Sequence, residues 1–195
     1  MTDSVNPKTV QYMYVMEPEK YTYMATPKIQ ICDELMIVAT GNCIDFLHGP
    51  APEKYEIVRG GVAIYSLKEN PEQPKFLSFW DTGTDGMAAG DHRFCYNGGR
   101  YAHLSATAPG FTGYIYRILD ISDPRHPVEA GRWWNPGQFL GNQTKATQQK
   151  NIHGWNGNDS YPGYVHCVYA LGDKAYVSCV GAGFKILDIS DPQVP

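Results

Sequence analysis

The stretch "ILDISDPRHP" at residues 118–127 returns as "ILDISDPQVP" at residues 186–195, with two mismatches in ten positions. In both copies an apolar run ends at an aspartate-proline pair. Proline confines the preceding residue to extended backbone and removes a donor from the hydrogen-bond ladder of a strand. Each copy therefore predicts a strand that ends at Asp123 or Asp191, and the duplication predicts an internally repeated fold.

The sequence around the two copies divides into three similar passes. Each pass reads as strand, tight turn, strand, loop, strand, proline-bounded turn and strand, and a Pro-x-x-Pro spacing beginning at Pro71, Pro124 or Pro192 closes the third strand. Four short antiparallel strands repeated at roughly 40–50 residues are typical of β-propeller blades. We therefore predict an all-β fold of about two and a half blades; a plain β-sandwich is the alternative.

The second and third passes align without a gap from their first histidines. "HRFCYNGGRYAHLS" from His92 matches "HCVYALGDKAYVSC" from His166, which places residues 98–99 on residues 172–173. Glycine-rich pairs between alternating apolar runs predict two-residue hairpin turns at both places. In this alignment His103 corresponds to Val177, and we expect His103 to be packed within its blade.

The domain organisation follows from the same spacing. We predict an N-terminal extension and a partial propeller whose regular passes are interrupted by inserted loops. The predicted ranges are 1–27 for the extension, 28–195 for the propeller, 28–83, 91–137 and 165–195 for its blades, and 42–58 and 138–164 for the inserted loops.

A family resemblance adds to this interpretation. "YIYRILDISDPRHPVEAG", "GFKILDISDP" and "VHCVYALGDKAYVS" resemble the LVIVD-repeat β-propellers, in which a histidine commonly opens the inner strand. The resemblance covers about residues 28–195 and implies a propeller fold, with little implied about activity. The first pass departs from the family pattern, since it has no "DISDP" and Pro27 or its neighbour stands where the histidine is expected.

Composition excludes several classes of partner. The formal charge is -4 and no basic run is present, so we expect no nucleic-acid partner. No stretch approaches the roughly 20 apolar residues that a membrane helix needs. Five cysteines without CxxC spacing, together with an N-terminus unlike a signal peptide, predict reduced thiols in a cytoplasmic protein.

Propeller topology would gather several side chains at the mouth of the central channel. Residues that open inner strands, loops between blades and loops between second and third strands all emerge on one face. His92 and His166 should therefore occupy neighbouring channel positions, with loop residues around them. The other residues predicted on this face are His48, Asp91, His153, Trp155, Asp159, Tyr161 and Tyr164.

This histidine cluster predicts two kinds of chemistry. His92, His153 and His166 could hold zinc, copper or iron with an open coordination position. Without metal the same imidazoles, with Asp91 and Tyr164, could act as general acids or bases. Selenium-binding proteins, which act as methanethiol oxidases, have a similar architecture with channel histidines. The alternative is that His92 and His166 are ordinary inner-strand residues bonded to backbone or water.

Other candidates are assigned structural roles. We expect His126 in the turn "DPRHP" to be solvated, and Asp120 and Asp188 to stabilise turns. Cys95 and Cys167 flank the inner strands and are expected to be core residues.

Two functions remain open from the sequence. The first is an oxidoreductase, lyase or hydrolase acting on a small, moderately apolar molecule, with His48, Trp155 and Tyr161 lining its pocket. The second is a scaffold that binds a protein partner through the inserted loops. Because Pro195 precedes the fourth strand of the third blade, we expect a second polypeptide or further chain to supply the remaining blades.

Overall fold

Twelve strands and no helix make up the part of the chain that the computed structural model describes. This part comprises residues 8–13, 15, 24–25, 28–42, 60–84, 90–141 and 163–195. In chain order the strands are β1 (Met24–Ala25), β2 (Ile29–Cys32), β3 (Leu35–Asn42), β4 (Gly61–Ser66), β5 (Lys75–Asp81), β6 (Asp91–Cys95), β7 (Tyr101–Ala106), β8 (Ile115–Asp120), β9 (Val128–Trp133), β10 (Val165–Leu171), β11 (Lys174–Cys179) and β12 (Gly183–Asp188).

The strands form three separate antiparallel sheets that follow one another along the chain, here called blades 1 to 3. In blade 1, β1 and β2 both pair with β3, which continues to β4 and β5. Blade 2 has the order β6-β7-β8-β9, and blade 3 the order β10-β11-β12. The inner strand β6 contacts β3 on one side and β10 on the other. The all-β prediction is confirmed, and the three successive open sheets are those of partial propeller blades.

Blade 2 is buried on both faces because a neighbouring blade packs against each of them. Every residue of β8 is buried, although successive side chains of a strand point to opposite sides. Leu119 packs with Ile37 of blade 1, whereas Tyr116 and Ile118 pack with Val168 of blade 3. Burial on both sides explains why "YIYRILDI" is almost continuously apolar.

The repeated phrase forms the same two turns in each copy. In blade 2 the Asp120 carboxylate accepts a hydrogen bond from the backbone NH of Ser122 at 2.9 Å, and Asp123 accepts one from Arg125 at 3.0 Å. The second copy makes the equivalent bonds, from Asp188 and the aspartate three residues later, at 2.9 Å each. Short carboxylate side chains mimic a backbone turn in this way. The predicted turn-stabilising role of Asp120 and Asp188 is confirmed.

The first pass keeps the closing turn although it lacks the phrase. Asn70 takes the place of the second aspartate, and its side-chain oxygen accepts a hydrogen bond from the Glu72 NH at 3.0 Å. Its carbonyl oxygen accepts a second one from the Gln73 NH at 3.1 Å. An asparagine satisfies the same turn geometry as an aspartate, so the three closing turns are equivalent.

Each of the two later closing turns rests on the outer strand of the preceding blade. The carbonyl oxygen of Pro124 accepts a hydrogen bond from Ser78 Oγ in β5 at 2.6 Å. The position in β9 that corresponds to Ser78 is Gly131, and a Cβ placed there would lie 1.8 Å from the carbonyl oxygen of Pro192. Only glycine admits this close approach of two backbones.

The prediction of equivalent two-residue turns in blades 2 and 3 is wrong for blade 2. In blade 3, Leu171 pairs with Lys174, so residues 172–173 form a two-residue turn. In blade 2, Cys95 pairs with His103, and the connection that contains Gly98 and Gly99 is therefore longer. Both glycines have positive φ angles, which a wider loop can use as readily as a tight turn.

The assignment of Val177 as the counterpart of His103 is wrong for the same reason. His103 pairs with Ile118 in blade 2, and Tyr176 pairs with Ile186 at the equivalent place in blade 3. The counterpart of His103 is therefore Tyr176. The predicted burial of His103 within its blade is confirmed, since only 8% of the residue is exposed.

The segments outside the regular strands are anchored to the blades where the structure describes them. Val15, in the predicted N-terminal extension, packs on blade 1, and its carbonyl accepts a hydrogen bond from Tyr65 Oη at 3.5 Å. Gln138, the first residue of the predicted insertion at 138–164, is buried and donates to the carbonyl oxygens of Thr112 and Tyr114 at 2.9 Å each. The start of this insertion is thus fixed beside the start of β8.

The turn between β2 and β3 offers a stability prediction. Asp33 and Glu34 adopt φ angles of 50° and 59°, a left-handed conformation that favours glycine. Asp33 is left unchanged in this test because its side chain accepts a hydrogen bond from the Gly99 NH at 2.6 Å. We expect Glu34→Gly to raise the free energy of unfolding by about 0.5–1 kcal/mol, as measured by urea denaturation. Glu34→Ala retains a Cβ and should give no gain, so an equal gain in both variants would contradict the explanation.

Candidate functional site

Two imidazoles lie at equivalent places on neighbouring inner strands. His92 is the second residue of β6, and His166 is the second residue of β10. The residues on either side of His92 pair with consecutive residues of β7, and those on either side of His166 pair with consecutive residues of β11. Each histidine is therefore the extra residue of a β-bulge. Such bulges redirect a side chain and are over-represented next to active sites.

The two imidazoles are in contact, and aromatic rings surround them. The ring centroids of His92 and His166 lie 5.2 Å apart. His92 stacks on Tyr114 with a centroid distance of 5.3 Å, and Tyr114 meets Tyr164 edge to face at 5.9 Å. The structure thus brings together three residues predicted at this face, His92, His166 and Tyr164, and adds Tyr114 to them.

Both imidazoles are held in their neutral form. Partial burial lowers the pKa of His92 to about 4, with further lowering by His166, Arg93 and Lys28. Partial burial also lowers the pKa of His166, and Arg93 and Lys28 act in the same direction. Because positive neighbours and desolvation both disfavour an imidazolium, the pair is uncharged at neutral pH.

Asp91, the fourth described residue of the predicted site, is fully buried next to His92. Only 1% of the residue is exposed, and neither carboxyl oxygen receives a well-formed hydrogen bond from the described residues. Burial raises its pKa well above the ordinary value, whereas Arg117 and the nearby backbone NH of Ser105 lower it less. A carboxyl group without adequate donors is more stable when protonated, so burial favours the neutral form of Asp91.

The remaining predicted site residues lie outside the described part of the chain. These are His48, His153, Trp155, Asp159 and Tyr161. Within the described residues, no three His, Cys, Asp or Glu side chains are grouped so that they could hold a metal ion. Metal binding through His92, His166 and His153 therefore stays a prediction.

The sequence interpretation missed three contributors to the site, namely Lys28, Arg93 and Tyr114. Arg93 directly follows His92, and Lys28 directly precedes β2, the inner strand of blade 1. Tyr114 directly precedes β8. A charged residue at the inner-strand position of blades 1 and 2 was the available signal, but the bulge that groups these residues is not visible in the spacing.

A cavity at the opposite end of the blades does not involve any predicted site residue. It has a volume of about 660 Å³ and opens between the turns of blades 1 and 2. Charged side chains of both signs line it, among them Asp33, Lys68, Glu69, Arg100 and Arg125. Its mixed charges do not favour one class of ligand.

The buried histidines predict a specific pH dependence of stability. The folded chain lowers the pKa of His92 and His103 to about 4, in each case chiefly by burial. Unfolded histidine titrates near 6.5. The unfolded chain therefore binds more protons between these values, and both residues make the free energy of unfolding fall as pH falls from 6.5 toward 4.

The measurement is an NMR titration of the histidine C2–H resonances together with urea unfolding at the two ends of that pH range. We expect His92 and His103 to keep neutral-form chemical shifts until the pH approaches 4. A variant with glutamine at both positions should lose less stability on acidification than the wild type. Midpoints near 6.5 for both residues would contradict the prediction.

Comparison with family models decides the relationship that the repeats suggested. The model described as LVIVD repeat matches residues 115–134 and 162–195. These two segments contain β8 and β9 of blade 2 and all three strands of blade 3. The chain contains LVIVD repeats. A comparison with curated proteins found no match.

The LVIVD match and the candidate site overlap only in part. Tyr164 and His166 lie within the matched segments, whereas His92 and Tyr114 precede them. The four cysteines that the structure describes, Cys32, Cys95, Cys167 and Cys179, are free thiols. No helix among the described residues has the length and apolarity to cross a membrane.

Proposed function

We propose that this protein is an enzyme that uses His92 and His166 as a general acid–base pair on a small molecule. The observation that carries the proposal is the contact between two neutral imidazoles, 5.2 Å apart, each presented by an equivalent bulge. Neutral imidazole has one nitrogen that accepts a proton and one that donates, so an imidazole pair can remove a proton from one substrate atom and deliver one to another.

The surroundings of the pair support proton transfer. Because each imidazole disfavours protonation of the other, the pair holds one extra proton more readily than two. Asp91, the residue before His92, is buried, and the rings of Tyr114 and Tyr164 form a largely apolar wall beside His92. This wall supports the expected preference for a moderately apolar molecule. The proposal covers oxidation, elimination and hydrolysis, each of which can use such a pair.

Metal binding is a second form of the same proposal. His92 and His166 are neutral imidazoles, the form that binds zinc, copper or iron, and His153 would be the third ligand. The positive charges of Lys28 and Arg93 act against a bound cation, so we favour acid–base chemistry without metal. Elemental analysis of the purified protein tests this: stoichiometric metal that is lost in His92→Ala and in His166→Ala would favour the metal form.

Turnover of an unbiased mixture tests the enzyme proposal. The protein is incubated with a small-molecule cell extract, and mass spectrometry follows which compounds are consumed and formed. We expect His92→Ala and His166→Ala each to lower the rate about 10²–10⁴-fold, the usual contribution of a general acid or base. His126→Ala is the matched control, because that side chain is 80% exposed in a turn of blade 2. Conversion at the wild-type rate by both site variants would refute the proposal.

A specific surface supports a further structural role, the packing of an additional blade on blade 3. Tyr116 and Ile118 of blade 2 are fully buried by blade 3, whereas their counterparts Phe184 and Ile186 are 72% and 56% exposed. Tyr169 and Tyr176 extend this apolar face. We propose that another blade, on the same or a second polypeptide, covers it; native mass spectrometry of the protein purified from its source tests for a second polypeptide. Binding of a protein partner through the inserted loops stays a prediction.

A further inference from the structure

Side-chain hydrogen bonds fix the positions of the inner strands of the three blades relative to one another. The Gln30 amide of β2 donates to the Phe94 carbonyl oxygen at 3.0 Å and accepts from the Tyr96 NH at 2.5 Å, which ties β2 to β6. Asn97 donates to the carbonyl oxygen of Ala170 at 3.0 Å and ties the end of β6 to β10. Neighbouring inner strands therefore keep a fixed offset along the channel.

This offset places two cations beside the imidazole pair. Lys28 lies two residues before Gln30, and His92 lies two residues before Phe94, so Lys28 and His92 occupy the same end of adjacent strands. Arg93 follows His92 directly. The positive charge of both residues acts on both imidazoles, which agrees with this placement.

Neither cation is neutralised within the part of the chain that the structure describes. The side chains of Lys28 and Arg93 make no ion pair or hydrogen bond there, and the Nε of Arg93 is buried without an acceptor. Arg132, which is also half-buried, behaves differently and binds Glu129 at 2.7 Å. A buried guanidinium nitrogen without a partner is costly, so Arg93 is set to receive an acceptor from outside the described chain.

We propose that the channel-mouth site binds an anionic group, a carboxylate or other oxyanion, of the small molecule on which the imidazole pair acts. This inference rests on the proposed function of His92 and His166 and adds the charge of its substrate. Arg93 offers a planar pair of donors that matches an oxyanion, Lys28 adds a point charge, and the neutral imidazoles can donate further hydrogen bonds. Tyr114 stacks beside them and suits an apolar body attached to the anion.

The same charges dictate the protonation change on binding. An anion between Lys28 and Arg93 offsets the repulsion that keeps the imidazoles neutral, so its binding raises the pKa of His92 and His166. Bound substrate thereby makes an imidazolium, the general acid, easier to form. Free enzyme and complex therefore differ in their protonation at a given pH.

The experiment uses three probes at low salt and neutral pH with the whole chain: benzoate, its neutral analogue benzamide, and inorganic phosphate. Histidine C2–H resonances report occupancy of the site. We expect saturable shifts of His92 and His166 with benzoate or phosphate and none with benzamide. Arg93→Gln should weaken the binding at least about tenfold, the loss of one charge-assisted hydrogen bond, and Lys28→Gln should weaken it less. Arg125→Gln, in an exposed closing turn, is the control with equal charge loss.

The outcomes separate this inference from the proposed function. Stronger binding of benzoate than phosphate identifies a carboxylate on an apolar body, and the reverse order identifies a phosphate-like oxyanion. Equal shifts with benzoate and benzamide, no shift with either anion, or unchanged binding in Arg93→Gln would overturn the inference. Turnover of a neutral compound that depends on His92 would overturn it and leave the enzyme proposal standing. Anion binding without any turnover in the extract would support the inference and contradict the enzyme proposal.

Discussion

Replacing Arg117 with alanine is expected to lower the free energy of unfolding by about 3–5 kcal/mol, the usual loss when one partner of a buried ion pair is removed. Arg117 is 4% exposed. Its guanidinium donates to the carbonyl oxygens of Thr82 at 2.9 Å and Thr107 at 2.6 Å, and to Glu129 at 2.5 Å. It also covers the Trp80 ring at 4.4 Å. The alanine variant leaves the largely buried Glu129 carboxylate with one cation fewer and two carbonyl oxygens with one hydrogen-bond donor fewer.

Lys185 provides a matched control for this substitution. It occupies the position of blade 3 that corresponds to Arg117, but its amine is exposed, donates to the Ala182 carbonyl oxygen at 3.0 Å and lies 5.9 Å from the centre of the Trp133 ring. We expect Lys185→Ala to change stability by less than about 1 kcal/mol. Guanidinium chloride unfolding of both variants measures the difference. Equal losses in the two variants would show that the buried network around Arg117 contributes nothing beyond an ordinary surface cation.

The second large effect is expected at Gly131, where alanine should destabilise the protein by about 3 kcal/mol. The added Cβ would meet the Pro192 carbonyl oxygen at 1.8 Å, and this contact involves backbone that cannot rotate away. The closing turn of blade 3 must then separate from β9. We expect a lower midpoint of urea unfolding and faster amide exchange in residues 189–195.

Ser78 is the comparison position for Gly131, since it occupies the same place in β5. Ser78→Ala removes the hydroxyl that donates to Pro124 and should cost about 1 kcal/mol, because it deletes one hydrogen bond and adds no clash. The two substitutions separate loss of a bond from steric exclusion. If Gly131→Ala were no worse than Ser78→Ala, the close approach of turn and strand would not be a rigid feature of the fold.

The repeated phrase made the third strands and closing turns predictable because their geometry is local. Asp120 and Asp123 act on residues two positions later, and proline stops the strand, so neither feature needs information from elsewhere in the chain. The proximity of His92 and His166 was also predictable, since consecutive blades place equivalent residues side by side. These predictions succeeded because spacing alone determines them.

Features that depend on contacts between blades were beyond the sequence. The bulges at His92 and His166 shift the register within the inner hairpins, and nothing in the run "DHRFC" distinguishes a bulged from a regular strand. The wider loop at Gly98 and Gly99 misled the alignment because glycine fits both a tight turn and a loose one. Lys28 was missed because its position beside His92 depends on the offset of β2 relative to β6. The hydrogen bonds of Gln30 fix this offset.

Each of the two later closing turns packs on the preceding sheet, so the contacts between blades run in one direction along the chain. The turn of blade 2 bonds to β5 of blade 1, and the turn of blade 3 lies against β9 of blade 2. A sheet therefore receives part of its support from the one synthesised after it, and damage in a later repeat propagates toward the N-terminus. In a linear array whose stability depends on contacts between neighbouring repeats, the order of folding and the resistance to force therefore differ between the N-terminal and the C-terminal end.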